Sequence, residues 1–276
     1  MGTRALGDRP WLTGGGSTGN GRPGPDRLSQ LDLRAELLRD RFHEVCAAPA
    51  SAAEGIEELV GLVCETMGFE PPLITASADV ASADVAVSDA GAERLAWLGR
   101  SIVEDLCLLR RGSTEWELEA GVLCFPSRWR LADKLGRPMR EVHGPVDGYD
   151  PVLADRVTSL LDRLGEQIVI RRNWFVHPNS DLFQPERPAD GDPFVPTANV
   201  LERLFVRCER QTLRALPVSG RIVFAITTQQ CSLGRFVADN DRRSRFVRYL
   251  DQAPTNDITH RGLDPAQAAA ALAAIS

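Results

Sequence analysis

The sequence predicts an α+β fold in which helices flank an antiparallel sheet. Three observations carry this reading. Apolar residues recur at helical spacing from Leu31 to Leu109, strand-like runs replace them between Glu115 and Gln230, and helical spacing returns from Leu233 to the end. The first helix follows from the stripe Leu31, Leu33, Leu37, Leu38 and Phe42. A second runs from Ser51 to Met67, with Ile56, Leu59, Val60 and Val63 on one face, and "GFEPP" ends it because Pro71 and Pro72 cannot continue a helix. The third expected helix is the whole of "AERLAWLGRSIVEDLCLLRR", with Leu95, Leu98, Ile102, Leu106 and Leu109 aligned and Gly112 as its stop.

Four strands follow. "EWELEAGVLCF" alternates and then turns apolar, and "EQIVIRRNWFVH", "ERLFVRCERQTLRAL" and "GRIVFAITTQQ" share the strand pattern. Pro217 and Gly220 in "LPVSGR" mark a hairpin between the last two. A helical excursion over 127–165 interrupts the strands, residues 185–196 form a polar, Pro-rich loop, and the tail finishes in the Ala-rich "DPAQAAAALAAI". Gly, Ser and Pro dominate 13–25, so residues 1–29 are expected to be a flexible N-terminal segment and 30–276 a single domain.

Composition narrows the function. The net charge of −6 gives no long-range attraction to nucleic acid, and no apolar run approaches the length of a membrane span. The start, "MGTRALGDRPWLTGGG", has no apolar signal-peptide region, and Leu6 breaks the myristoylation pattern, so a cytoplasmic protein is expected. Lys134 is the sole lysine among 32 basic residues, an arginine usage that reads as genome composition. The six cysteines form no CxxC pair, which argues against a disulfide framework, a four-cysteine zinc site or an iron–sulfur cluster. No HExxH or HxH pattern, no GxSxG elbow on a strand–helix turn, no strand–GxGxxG–helix unit and no GxxxxGK[ST] loop occurs.

The stretch 124–150, "CFPSRWRLADKLGRPMREVHGPVDGYD", stands out, because it sets His143 beside a turn stiffened by Pro145 and Gly148. A histidine with few rotamers to lose suits coordination of a metal or haem iron. A lone histidine at a helix end with no further role fits the same pattern, and the residues by themselves leave both readings open. With dedicated zinc and nucleotide signatures absent, a pocket needing one axial ligand and several polar groups describes a haem site.

Three segments give this reading its direction. In this order, "FPSRWRLADKLGRPMREVHGPVDGY", "RRNWFVHPNSDLFQP" and "RCERQTLRALPVSGRIVFAITT" resemble the haem-dependent oxidative N-demethylase α-subunit family. The likeness extends upstream through "WL" at residues 11–12, the helix around 30–43 and "SIVEDLCLLRR", and covers most of the chain. The resemblance implies a PAS-like antiparallel sheet that binds haem, extended by N-terminal and C-terminal helices. It further implies an oxidoreductase, a monooxygenase or oxidative N-demethylase, that uses O₂ to oxidise a small or specialised amine. Electrons would come from an external flavin or iron–sulfur reductase; the known enzyme of the family oxidises dimethylamine.

The resemblance also assigns roles. His143 takes the place of the family's proximal haem ligand, with His177 in "FVHPNSD" as the fallback. Arg207 and Glu209 match a polar distal wall; period-2 alternation puts 207, 209 and 211 on one strand face and Cys208 and Arg210 on the other. Such a pair is suited to polarising dioxygen and anchoring a protonated amine, and the alternation turns the Cys208 thiolate alternative away from the pocket. Trp174 is expected along the haem plane, Arg128, Arg130 and Lys134 near the propionates, and Tyr149 as a donor to a bound ligand. The haem is expected to be b-type and non-covalent, because no CxxCH motif occurs.

The chain departs from its relatives at three places. Asp147 stands where they have proline in the turn after His143, Ala215 replaces an arginine, and "HRG" at 260–262 replaces Tyr-Lys-Gly. These changes leave the haem site intact and put dimethylamine itself in question. A PAS-type haem gas or redox sensor without turnover is the alternative reading, and the absence of any output-domain signature favours the enzyme. An apo scaffold subunit is the third.

Overall fold

The computed structural model describes residues 4–5, 11–13, 25–71, 86–143 and 151–275. Seven antiparallel strands form one open sheet: β1 (Arg4–Ala5), β2 (Cys46–Ala47), β3 (Glu104–Arg111), β4 (Trp116–Val122), β5 (Val169–His177), β6 (Phe205–Leu216) and β7 (Arg221–Ser232). Their spatial order is β1-β5-β6-β7-β3-β4-β2, so β7, the last strand in the chain, lies at the centre and β3, first of the long strands, pairs beside it. Around it stand α1 (Pro25–Asp40), α2 (Phe42–Val45), α3 (Ala53–Met67), α4 (Ala86–Ser101), α5 (Leu131–Lys134), α6 (Met139–His143), α7 (Pro151–Asp162), α8 (Val200–Arg203), α9 (Leu233–Val237), α10 (Asn240–Gln252), α11 (Thr255–His260) and α12 (Pro265–Ile275). The Gly-rich stretch 14–24 and the turn 144–150 lie outside the described residues.

The long third helix expected from the sequence is corrected. α4 ends at Ser101 and the chain re-emerges as β3, which pairs on both sides, with β4 and β7. Every residue from Glu104 to Leu109 is buried, so a strand covered on both faces shows no alternation, and its leucines mimic helical spacing.

The two faces of the sheet are covered differently. Leu106, Leu108, Ala120, Val122, Val223 and Ala225 face α1, α3 and α4, where they pack with Leu38, Ile56, Leu59, Val63, Leu95 and Leu98. Trp11 and Leu12 are sealed into this same core, the indole donating to Thr66 Oγ1 at 2.9 Å and the Trp11 carbonyl accepting from Arg210 and Thr212. Toward β5 and β6, still on this face, Trp174, Val176, Val206 and Cys208 pack against the C-terminal helices through Phe246, Leu250 and Ala271. On the opposite face, Cys107, Leu109, Leu118, Leu213, Ile222 and Phe224 meet Leu131, Met139, Leu161 and Leu164 of the 127–165 excursion. The excursion covers that face only in part and leaves a cavity.

Buried charges fix the corners. Arg34, on the apolar stripe of α1, is wholly buried; its guanidinium donates to the carbonyls of Gly99 at 2.6 Å and Glu104 at 2.8 Å and to Asp105 Oδ1 at 2.7 Å. Asp105 in turn accepts the backbone N–H of Cys124 at 2.7 Å and of Phe125 at 3.0 Å. A charged pair so fully hydrogen-bonded is tolerated in a core, and here it turns the chain out of β4 toward the excursion. The β6–β7 hairpin is held at its tip, where Glu58 of α3 accepts the N–H groups of Val218 and Ser219.

Candidate functional site

The cavity between excursion and sheet measures about 2140 Å³, beyond the roughly 300–1,000 Å³ of ordinary small-ligand pockets. Strand parity decides what faces it. On β5, Arg171, Asn173, Phe175 and His177 line the wall; on β6, Glu209, Gln211 and Leu213; on β7, Phe224 and Ile226. Register makes these cross-strand neighbours: Asn173 opposes Glu209, Arg171 opposes Gln211, and Gln211 opposes Ile226. The excursion contributes Trp129, Lys134, Val142, His143 and Leu160, and the C-terminal segment reaches round the β5 edge with His260, Arg261 and Gly262.

His143 ends α6 and is half-buried on the cavity wall. Its Nδ1 lies 2.9 Å from the Met139 carbonyl. A carbonyl only accepts, so Nδ1 carries the proton and the ring lone pair sits on Nε2. Burial lowers its pKa, with the Arg171 and Lys134 cations acting in the same direction and the Met139 hydrogen bond opposing them, so the ring is neutral at physiological pH. A metal-binding histidine requires this state: one nitrogen anchored to the backbone, the other a donor to the metal.

His177 is more constrained. Its Nδ1 lies 3.4 Å from Arg128 Nη2 and its Nε2 3.4 Å from Ser127 Oγ. Burial, with Arg207, Arg128 and Arg187 nearby, pushes its pKa down to about 3. Both ring nitrogens of His177 thus lie against side chains of the 127–128 turn.

Glu209 and Gln211 are the polar residues that β6 gives to the wall. Gln211 Nε2 donates to Glu209 Oε2 at 2.9 Å, and Arg207 Nε approaches Glu209 Oε1 at 3.3 Å. Arg207 itself is wholly buried and stands behind the wall. Its Nη1 donates to the Leu182 carbonyl at 3.0 Å, while Nη2 donates to the Phe125 carbonyl and approaches Thr228 Oγ1 at 3.4 Å. The guanidinium therefore ties two loops to the sheet and orients the Glu209 carboxylate.

The remaining expected residues divide. Arg128, Arg130 and Lys134 line the cavity. Arg128 pairs with Asp192 at 2.5 Å and donates to the Glu186 carbonyl at 2.9 Å; Arg130 pairs with Glu186, and Lys134 Nζ donates to the Val142 carbonyl at 2.6 Å. Two cations are thus paired with acids of the Pro-rich loop. Trp174 is not on the cavity wall: its ring packs edge-on against Phe246 and Tyr249, with Arg261 over it. Parity on β5 separates it from Phe175, which stands on the cavity side beside His260. Cys208 shares the Trp174 face, and burial raises its thiol pKa. Tyr149 lies outside the described residues.

Sequence reasoning missed Asn173 and Arg261 as wall residues. The alternation of "RRNWFVH", counted from His177, signals Asn173; Arg261 carried no signal, because its place depends on α11 packing at the sheet edge. Its Nη1 donates to Asn173 Oδ1 at 2.5 Å and to the Trp174 carbonyl at 3.1 Å. Among the described residues no group of three or more His, Cys, Asp or Glu side chains converges as a metal site, and no helix is long and apolar enough to cross a membrane.

Fold and site together define a class: an α+β fold with one antiparallel sheet and a large cavity on one of its faces, with a backbone-anchored neutral histidine on one wall and a carboxylate–amide pair on the other. The family is shown by the sequence profile described as haem-dependent oxidative N-demethylase, alpha subunit-like, which matches residues 27–271 of this chain. The chain belongs to that family. Its description ties the members to haem and to oxidative N-demethylation.

Proposed function

We propose that this protein is a haem-dependent oxidoreductase that oxidises an amine with dioxygen and externally supplied electrons, and that His143, beside a PAS-like sheet, is the residue that would hold the haem iron. The observation that carries this reading is the tautomer of His143, whose Nδ1 proton is fixed on the Met139 carbonyl and whose Nε2 lone pair belongs to a ring on the cavity wall. The cavity suits the group. Leu109, Leu118, Leu213, Phe224 and Ile226 give it an apolar lining, Lys134 and Arg171 stand on it as cations for two propionates, and Arg128 and Arg130 would join them by exchanging Asp192 and Glu186. Bound there, haem b would supply the electron transfer and dioxygen activation that side chains cannot.

The chain's own residues have distinct parts in this reading. Glu209 anchors the ammonium of the substrate, its charge oriented by Arg207 from behind. Lys134, held by the Val142 carbonyl, keeps positive charge beside His143 and helps to hold the ring neutral. Phe224, Ile226 and Leu213 present an apolar surface that excludes water around the reacting carbon. No flavin or nicotinamide signature occurs in the sequence, so electrons come from a separate donor. The sensor alternative has no observation of its own in this cavity, whereas a buried carboxylate on the wall fits a cationic substrate.

Reconstitution with haem followed by pyridine haemochrome analysis tests the reading directly, with about one haem per chain expected. His143→Ala should abolish or strongly shift the Soret band, and added imidazole should partly restore it. Loss of the band in His177→Ala, with His143→Ala unchanged, would reverse the ligand assignment.

A further inference from the structure

Trp174 and Tyr249 meet on the sheet face turned away from the cavity, in surroundings that suit the transfer of an electron. Their rings pack edge to face with centroids 4.9 Å apart, and Phe246 closes on the indole at 5.9 Å. Tyr249 stands half-buried on α10, and its hydroxyl donates to Asp257 Oδ2 at 3.0 Å. Burial and the contact with Asp257 push the phenol pKa up to about 12, so the ring keeps its proton at neutral pH. The indole is one step from the cavity. Asn173 and Phe175, its neighbours in β5, line the wall. So does Arg261, which reaches round the edge of β5; its guanidinium lies over the indole at 5.3 Å and donates to the Trp174 carbonyl at 3.1 Å. Indole and phenol are the aromatic side chains that give up an electron most readily. A phenol does so more readily still when a base takes its proton in the same step, and Asp257 stands where that base is needed.

We infer that Trp174 and Tyr249 form a relay that drains oxidising equivalents from the cavity to the surface of α10. This rests on the proposal that an amine is oxidised in the cavity. When a one-electron oxidant stands there and no amine is bound, Trp174 gives it one electron. The Arg261 cation over the indole disfavours a positive charge on that ring, so the electron vacancy moves on. Tyr249 refills the indole with one electron and passes its hydroxyl proton to Asp257 Oδ2. The balance is an oxidant reduced by one electron, a protonated Asp257 and a neutral phenoxyl radical on Tyr249. That ring is half-buried on an outer helix, where a one-electron reductant in solution such as ascorbate returns the electron and Asp257 returns the proton. The relay thereby spares the residues of the cavity wall from oxidation in turnovers that find no substrate.

The test is electron paramagnetic resonance of the haem-reconstituted protein, mixed with hydrogen peroxide in the absence of amine and rapidly frozen. The chain has two tyrosines, Tyr149 and Tyr249, so a tyrosyl signal is assigned by two variants. Wild-type protein and Tyr149→Phe should both give the signal, and Tyr249→Phe should lose it. Trp174→Phe keeps an aromatic ring in the packing and removes the easily oxidised indole; it should lose most of the tyrosyl signal, which a role confined to packing would not give. Asp257→Asn leaves an acceptor for the hydroxyl that cannot take its proton, and should likewise lose most of it. The Soret band of each variant, recorded alongside, shows that haem is in place. No signal from haem-loaded wild-type protein, a signal that survives Tyr249→Phe, or one undiminished in Trp174→Phe or Asp257→Asn would overturn the relay. A wild-type chain without a Soret band overturns the proposed function and the relay with it, whereas a Soret band without the radical overturns the relay alone.

Discussion

Arg207→Met places the largest stress on the site, and its size follows from what the guanidinium holds. The side chain is wholly buried and serves the Leu182 carbonyl, the Phe125 carbonyl and Glu209 Oε1. Methionine fills much the same volume, so little cavity is created and the lost polar contacts dominate. Removing one member of a buried ion pair costs about 3–5 kcal/mol, because the other charge stays behind without compensation. Glu209 keeps only the Gln211 amide, and each stranded carbonyl adds about 1–3 kcal/mol where water cannot reach it. Domains have about 5–15 kcal/mol in total, so the variant should lie at the edge of folding. Urea denaturation followed by far-ultraviolet circular dichroism measures this. Adding Glu209→Gln to Arg207→Met should recover part of the loss, since no buried carboxylate is then left unpaired. A loss under about 1 kcal/mol for Arg207→Met, or a double variant less stable than the single, would refute the reasoning. Arg207 would then be a wall residue of the cavity rather than its support.

Other expected outcomes are more local. Gly262 has φ +90° and an added Cβ would lie 2.3 Å from the Val176 carbonyl oxygen, while Gly191 has φ +80° with open space around it. Both Ala variants should lose about 1–3 kcal/mol to backbone strain, but Gly262→Ala should show the larger fall in melting temperature because the β5 edge must also move. His177 sets an acid limit: its pKa lies at about 3 in the fold against about 6.5 in the unfolded chain. The unfolded state therefore binds the extra proton, and stability should fall as pH drops from about 6.5 toward 3, by up to about 1.4 kcal/mol per pH unit. His177→Gln should flatten that slope in chemical denaturation between pH 7 and 4; an unchanged slope would place the acid-sensitive group elsewhere.

Much of this organisation is legible in the residues, and the parts that are not have physical reasons. The strands β4 to β7 announce themselves by alternation and by turn residues, and α3 by its stripe Ile56, Leu59, Val60 and Val63. β3 does not, because neighbours on both faces remove the polar half of its pattern. The parity argument applied to β6 correctly separates Glu209 and Gln211 from Cys208. Applied to β5, the same argument puts Trp174 with the C-terminal helices, where its width and apolarity fill the gap between Phe246 and Tyr249. What parity cannot show is depth. Arg207 shares its strand face with Glu209, yet loop carbonyls at Phe125 and Leu182, distant in sequence, draw its guanidinium away from the wall.

The rims of this open sheet bear on how the protein behaves in a crowded solution. A bare strand invites pairing with another chain. Here β1 covers Val169 and Ile170 at one end of β5, and the Arg261 carbonyl accepts the Val176 N–H at 2.7 Å near the other. Between them stand Arg171 and Arg172, two exposed positive charges that repel a second copy of the same rim. At the far rim, β2 covers Gly121 and Val122, and Leu118 exchanges hydrogen bonds with Gly136 and Arg137 of the excursion. The segments that close the cavity therefore also blunt the sheet against polymerisation, so a substitution that loosens α5 or the 260–262 segment should show itself first as aggregation.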